Sequence, residues 1–276
     1  WDVREIEQPA GFVLDDTIYP VTIGADGQVV EIKIVNKYVR GNIHLTKVDS
    51  EYPDNKLTGA TFEVYKDSNA NGKLDDGDEL LGTLTEKEIG EYGMNDLFYG
   101  RYFVKETKAP EGFVLDTGVY EVMIDTNGKT YEVENKTGVG FINDAMRGNL
   151  KIIKTSSDGK VKGFAFRITG ANGYDIILET NDKGEIFIDG LRIGDYTISE
   201  VSNSASSMYV LPADKKATVK LGSTTIVEMH NVLRDTPKTG DTTNLPLLYV
   251  LAGLSAVGIA VCGVIGFKKK KKEDRN

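Results

Sequence analysis

Trp1-Asp2-Val3-Arg4-Glu5 and the ten residues that follow it return 101 residues later, as Tyr102-Phe103-Val104-Lys105-Glu106 through to Asp116. The same shift carries Tyr19 onto Tyr120 and Gly27 onto Gly128, and a weaker third copy is Asp195-Tyr196-Thr197-Ile198-Ser199-Glu200-Val201. A repeat of this length describes an array of domains, not a short-period solenoid. A second landmark, Asn36-Lys37-Tyr38-Val39-Arg40-Gly41-Asn42, reappears as Asn143-Asp144-Ala145-Met146-Arg147-Gly148-Asn149. The expected divisions are 1–40, the C-terminal part of one domain; 41–147, a complete domain; 148–234, a second, shorter one; and a terminal segment, 235–276.

Within each unit the apolar residues alternate over short runs, as in Ala60-Thr61-Phe62-Glu63-Val64-Tyr65 and Glu185-Ile186-Phe187-Ile188-Asp189, separated by turns carrying Gly, Asn and Asp. No sustained helical period precedes residue 245. The class expected is all-β, a tandem array of Greek-key β-sandwiches.

Of the 276 residues, 33 are Lys or Arg and 42 are Asp or Glu. The tail Lys268–Asn276 holds six of the basic and two of the acidic residues, which leaves 27 against 40 and a net charge of −13 on the remainder. Nucleic acid is therefore not an expected partner. The one cysteine, Cys262, lies in an apolar run, so no disulfide staples the polar part. The chain opens at Trp1 without a methionine or a signal region and reads as a fragment truncated at its N-terminus. Its unknown host protein or glycan would be met by a missing N-terminal head.

Leu245–Phe267 is an uncharged run of 23 residues, against the roughly 20 that cross a bilayer as a helix. Lys268 to Lys272 follow as a stop-transfer cluster, placing the preceding residues outside the cell. Just upstream stand Thr236, Pro237, Lys238, Thr239 and Gly240. The arrangement resembles the cell-wall sorting signal of Gram-positive surface proteins, with Thr236 where leucine is usual. The resemblance implies that a sortase cuts the Thr239–Gly240 bond and joins the chain to peptidoglycan or to a pilus subunit, after a transient single-pass membrane precursor. Pro237 disfavours helix at Thr236, which keeps the segment extended for such a cleft.

Side chains two apart share a face of a strand. Ile43, Leu45 and Lys47 therefore point together, as do Leu150, Ile152 and Lys154, so each lysine ends an apolar stripe. Trp1, Val3 and Glu5, then Tyr102, Val104 and Glu106, then Tyr196, Ile198 and Glu200, each aim a glutamate at a core. At the expected last strands Ile34 leads to Asn36, Phe141 to Asn143, and Val227 with Met229 to Asn231. Buried ion pairs with a hydrogen-bonded amide, or strand ends reaching solvent, are the plain alternatives. At these residues, and at Glu106-Thr107-Lys108-Ala109-Pro110-Glu111-Gly112-Phe113, the sequence resembles the B-type repeats of the collagen adhesin Cna and SpaA-type pilin domains.

That resemblance implies an autocatalytic isopeptide bond from Lys47 to Asn143 and from Lys154 to Asn231, assisted by Glu106 and Glu200. Asn135 has the same parity as Asn143 and is the alternative partner; Asn143 is preferred because its spacing to Lys154 equals that of Asn36 to Lys47. The N-terminal unit holds Glu5 and Asn36 without a lysine partner. The implied role is a structural stalk and wall anchor at the cell surface, with a minor or basal pilin, or the stalk of a surface enzyme, as alternatives. The chain itself is not expected to be an enzyme beyond this single-turnover reaction.

Asp67, Asn69, Asn71, Lys73, Asp75 and Asp78 follow the oxygen spacing of a calcium loop, with Gly72 at the sixth place. Asp78 replaces the usual glutamate, and a solvated turn is the alternative to a Ca2+ site; no other cofactor is expected. His44 and His230 fall opposite Lys47 and Asn231 and are expected on the surface.

Overall fold

A computed structural model describes residues 1–234. The Thr236–Gly240 motif, the apolar run and the lysine cluster lie outside the described residues. Among the described residues no helix is long and apolar enough to cross a membrane. Nineteen strands and one 3-10 turn make up the regular structure of the described residues, so the all-β expectation holds.

The N-terminal unit contributes two short strands, β1 (Asp2–Val3) and β2 (Tyr19–Pro20), paired antiparallel. The next strands are β3 (Arg40–Asp49), β4 (Thr61–Lys66), β5 (Glu79–Thr83), β6 (Thr85–Glu88), β7 (Glu91–Phe98), β8 (Gly100–Lys108), β9 (Val119–Ile124), β10 (Thr130–Glu132) and β11 (Phe141–Asn143). They form two sheets, in the order β10-β3-β7-β6 with β11 also on β3, and β5-β4-β8-β9. The remaining strands are β12 (Arg147–Ser156), β13 (Ala165–Thr169), β14 (Asp175–Glu179), β15 (Glu185–Arg192), β16 (Gly194–Val201), β17 (Tyr209–Val210), β18 (Lys215–Val219) and β19 (Thr224–Leu233). Their sheets run β15-β12-β19-β17 and β14-β13-β16-β18.

Each sandwich has its own core. Ile43, Leu45, Phe62, Val104 and Phe141 belong to the first, and Leu150, Ile152, Phe166, Ile198 and Met229 to the second. Strands β3 and β12 alternate buried and half-exposed positions along their length, which is the pattern of a strand with one face on a core. In both sandwiches the first strand lies parallel to the last, β3 with β10 and β11, and β12 with β19.

In the second sandwich that last strand is continuous, whereas in the first it is broken. Asn42 to His44 pair with Thr130 to Glu132, and Lys47 to Asp49 resume with Phe141 to Asn143. Uninterrupted register would have set residue 135 opposite Lys47, so six extra residues are accommodated between β10 and β11. The same six residues separate the repeat's two shifts, 101 from Glu5 to Glu106 but 107 from Asn36 to Asn143. Asn135 closes the gap in the ladder: its Oδ1 accepts the Ile142 N–H at 2.6 Å and its Nδ2 donates to the Ile142 carbonyl at 2.8 Å.

The N-terminal unit departs from expectation. Trp1 and Val3 are exposed, at 86% and 40%, and Ile34 to Asn36 form no strand. A strand needs a neighbour to satisfy its backbone; among the described residues, 29–36 make no backbone hydrogen bond, and only the Lys37 carbonyl has a partner, the Val13 N–H at 2.8 Å.

The Arg-Gly-Asn landmark has a structural reason in both sandwiches. A side chain on Gly148 would lie 2.1 Å from the Lys220 carbonyl, and one on Gly41 would lie 3.0 Å from that of Lys129. The next residue caps the facing hairpin, Asn42 Oδ1 accepting the Asp96 N–H and Asn149 Oδ1 that of Gly190, both at 3.1 Å. The Pro-x-Gly-Phe loops, Pro9–Phe12 and Pro110–Phe113, also have a shared task at the junctions between units. Gly11 and Gly112 accept the N–H groups of Val39 and Met146, whose own carbonyls accept those of Tyr99 and Ile193 in the next unit. At the second junction Arg192 adds a two-pronged pair to Asp49, at 2.6 and 2.8 Å.

Candidate crosslinking site

Burial of a lysine at the end of an apolar stripe is what the alternation of β3 and β12 forces. Lys47 is 0% exposed and Lys154 1%. In the first sandwich the ladder partner of Lys47 is Phe141, and Asn143 stands two residues further along the neighbouring strand on the same face. In the second the ladder partner of Lys154 is Met229, and Asn231 stands two residues further on. A diagonal neighbour of this kind is within reach of a long side chain. Two sandwiches of different sequence thus share one register.

Both glutamates arrive from the opposite sheet, Glu106 on β8 and Glu200 on β16, and both are buried with their asparagines. Asn143 Nδ2 donates to Glu106 Oε2 at 2.7 Å, and Asn231 Nδ2 donates to Glu200 Oε1 at 2.6 Å. Four buried oxygens have no partner: Glu106 Oε1, Asn143 Oδ1, Glu200 Oε2 and Asn231 Oδ1. They are the two far ends of the same two Glu–Asn pairs. Buried acceptors left without donors are costly. A proton on each carboxyl supplies the missing donor.

The electrostatics favour that proton. Burial pushes the Glu106 and Glu200 carboxyls above the usual carboxylate range, against the opposing pull of their hydrogen bonds and of the nearby lysine. Burial also pulls the Lys47 amine down to about 8, and lowers that of Lys154. Aromatic rings complete the enclosure: Lys47 Nζ lies 5.6 Å from the Phe141 ring centroid, Lys154 Nζ 4.1 Å from that of Phe164. Lys47 Nζ donates to the Phe141 carbonyl at 3.0 Å, and Lys154 Nζ to the Thr155 carbonyl. A neutral acid and an amine that readily loses its proton therefore share a site with a carboxamide.

Asn143 rather than Asn135 meets Glu106. Asn135 is engaged by the Ile142 backbone and donates to Asp116 Oδ2 at 2.6 Å. In the N-terminal unit Asn36 Nδ2 donates to both oxygens of Glu5, at 2.7 and 2.8 Å, so the Glu–Asn half of the arrangement forms there as well.

Two glycines hold the lysine backbones. Gly90 and Gly184 accept the N–H groups of Lys47 and Lys154 at 2.7 and 2.8 Å, and both have positive φ, +71° and +77°. A side chain on Gly184 would stand 2.7 Å from the Lys154 carbonyl oxygen. Gly184→Ala is therefore expected to destabilise the second sandwich by about 1–3 kcal/mol, measured as a drop in its unfolding midpoint. An unchanged midpoint would contradict this account of the turn.

The six loop residues from Asp67 to Asp78 come together, but their oxygens serve the loop itself. Asp67 accepts the N–H groups of Asn71 and Gly72, Asp78 those of Ser68 and Asp75, and Asp75 the side-chain amides of Asn69 and Asn71. The Lys73 N–H is taken by Asn71 Oδ1. Among the described residues no group of three or more His, Cys, Asp or Glu side chains is placed to hold a metal ion. His230 is on the surface, bonded to Thr155, and His44 bridges Glu91 and Glu132 on the outer face.

Sequence reasoning passed over Asp116, which links the site to its surroundings. Its N–H donates to Glu106 Oε2 at 2.8 Å, and its carboxylate accepts Tyr120 Oη at 2.7 Å and the Gly118 N–H at 2.6 Å. The repeat held the signal, since Asp15 and Tyr19 recur as Asp116 and Tyr120 at the same shift as Glu5 and Glu106.

Residues 41–137 and 148–232 match the family model of the SpaA prealbumin-like fold domain. The trypsin-resistant surface T6 protein of Streptococcus pyogenes is 27% identical over 204 residues, 63% of this chain and 35% of that protein. The TIE protein of Bacillus anthracis superposes with a TM-score of 0.64 at 25% identity, over 84% of this chain and 41% of that one. The minor pilin GBS52 of Streptococcus agalactiae aligns over 73% of this chain and 99% of that one, at 19% identity and a TM-score of 0.33. This chain thus spans well under two thirds of the length of the streptococcal surface protein and of TIE. With both sandwiches matched along nearly their whole length, the chain belongs to the family of SpaA prealbumin-like fold domains.

Proposed function

We propose that the chain is the stalk and wall anchor of a Gram-positive surface protein, each complete sandwich closed by an isopeptide bond, Lys47 to Asn143 and Lys154 to Asn231. One observation carries the reading. Two sandwiches place a buried lysine, an amide two residues beyond its ladder partner and a buried carboxyl bonded to that amide in the same register.

The chemistry follows from these groups. The neutral Lys47 amine attacks Cγ of Asn143 and a C–N bond forms, while the Glu106 proton holds the carbonyl oxygen as charge builds on it. The Cγ–Nδ2 bond then breaks, a proton passes from Nζ to Nδ2, and ammonia leaves. Glu106 ends as it began, and nothing is oxidised or reduced. Folding supplies the proximity, so each sandwich reacts once.

Sorting would complete the stalk, with a sortase acting at Thr239 and peptidoglycan as the acceptor. A minor or basal pilin would use the same sandwiches and differ in what is joined to Thr239; membership of the SpaA family favours keeping that reading.

Force spectroscopy tests the stalk. Pulled between residues 1 and 234, the linked chain is expected to keep the 95 residues between Lys47 and Asn143 out of the loaded path. Lys47→Ala should release them, adding roughly 320 Å of contour length. Release of that length from the unsubstituted chain would overturn the reading.

A further inference from the structure

We propose that Asp116 is a positioning residue for the first sandwich's crosslink, fixing Glu106 so that its acid proton faces the oxygen of Asn143. The proposal rests on the crosslinking reading above and adds a residue to it.

Glu106 has two inequivalent oxygens. Oε2 accepts two N–H groups, from the Asp116 backbone at 2.8 Å and from Asn143 Nδ2 at 2.7 Å. An oxygen already holding two donors has no room for a third hydrogen along its lone pairs. The acid proton therefore resides on Oε1, which, with Asn143 Oδ1, is otherwise unpartnered. The Asp116 N–H thus selects which oxygen is the acid.

Asp116 is itself held by three donors, Tyr120 Oη, the Gly118 N–H and Asn135 Nδ2, at 2.6–2.7 Å. Asn135, the alternative crosslinking partner by sequence, thereby gains a different task. A surface pocket of about 260 Å³ opens beside these groups, with Asp116, Tyr120, Asn135 and Asn143 in its wall.

The N-terminal unit repeats the aspartate contacts independently, although there both Glu5 oxygens also accept from Asn36. The Asp15 N–H donates to Glu5 Oε2 at 2.7 Å, and the Asp15 carboxylate accepts Tyr19 Oη and the Thr17 N–H. The second sandwich lacks them. Glu200 accepts only Asn231 Nδ2, so this sandwich is a built-in control within the same chain.

The charged and titratable groups around the site are Lys47 and Asp49 on β3, Glu106 on β8, Asp116, and Tyr120 on β9. The Asp116 charge favours the ammonium on Lys47 and opposes ionisation of Glu106, so it moves both titrations upward. Its removal lowers both.

The test starts from chain collected unfolded from inclusion bodies, its mass confirming that no ammonia has yet been lost. It is refolded over a pH series, and ammonia loss from each sandwich is followed by peptide mapping. Asp116→Ala is expected to slow the first sandwich's crosslink roughly 10–100-fold and leave the second unchanged. Asp116→Asn keeps the backbone N–H and side-chain length, and is expected to move the pH optimum of the first sandwich downward alone. A merely structural role would reduce the folded fraction without moving that optimum.

If Asp116→Ala fails to fold, the Asp116→Asn profile decides. An unmoved optimum in Asp116→Asn, or an unchanged rate in a folded Asp116→Ala, overturns the proposal. Absence of ammonia loss from the unsubstituted chain in either sandwich would instead overturn the crosslinking reading, and this proposal with it.

Discussion

Lys47→Ala is expected to lower the unfolding temperature of the first sandwich on the order of 20 °C or more while leaving the second nearly unmoved. The crosslink closes a loop of nearly 100 residues, from β3 to β11. By the chain-entropy treatment used for disulfides, such a loop stabilises by about 4–5 kcal/mol through restriction of the unfolded chain. In a domain of this size each kcal/mol is worth about 4–8 °C at the midpoint. Differential scanning calorimetry of residues 1–234 would then resolve two transitions where the linked chain has them close together. Lys154→Ala should produce the mirror result, with a loop nearly as long, from Lys154 to Asn231. Coincident, unshifted transitions in both variants would mean that neither lysine is linked.

Glu106→Ala separates the bond from the residues that form it. Lys47 and Asn143 remain, but the group that polarises the Asn143 carbonyl is gone, and loss of one such donor typically slows acyl chemistry about 100- to 1,000-fold. The variant should accumulate with the first sandwich unlinked. Its stability should then depend on pH in a way that the linked chain's does not. A buried Lys47 amine has a pKa near 8 in the folded state against its ordinary 10.5. Between these values the unfolded chain binds more protons than the folded one, so stability rises with pH across that window.

Below about 8 the folded state bears the full burden of a buried ammonium, about 3 kcal/mol from the shift in pKa. In the linked chain the nitrogen is an amide and does not titrate. The stability gap between Glu106→Ala and the unsubstituted chain should therefore narrow as pH rises from 8 towards 10.5. A gap that stays constant would show that Lys47 carries no such burden.

Much of this was legible because strands alternate with period two. Lys47 follows Leu45 on an inward face and Lys154 follows Ile152, so a charge in each core could be read by counting. Asn143 was reached through the spacing of the Arg-Gly-Asn landmark, which the fold explains by a backbone crossing close over Gly148 and an asparagine capping the facing turn. Local pattern could place a strand end at Asn135, because Asn135-Lys136-Thr137-Gly138 carries turn residues, but it could not show that the strand resumes on β3 after six extra residues. Only the unequal shifts of 101 and 107 carry it.

The N-terminal unit taught the complementary lesson. Its sequence alternates as a strand does, yet residues 29–36 make no backbone hydrogen bond among the described residues and form none. Alternation selects a face, but backbone pairing makes the strand. The Asp67–Asp78 loop shows a further limit, because the same oxygens that could hold a cation can as well be turned on the loop's own N–H groups.

Intact mass spectrometry of residues 1–234 tests the central claim most directly, run beside Lys47→Ala and Lys154→Ala. The account requires the unsubstituted chain to weigh less than its sequence by two molecules of ammonia, and each variant to fall short of its own sequence by one. A chain at its full sequence mass would contradict it, leaving the two sandwiches with buried acid, amide and amine side by side but unlinked.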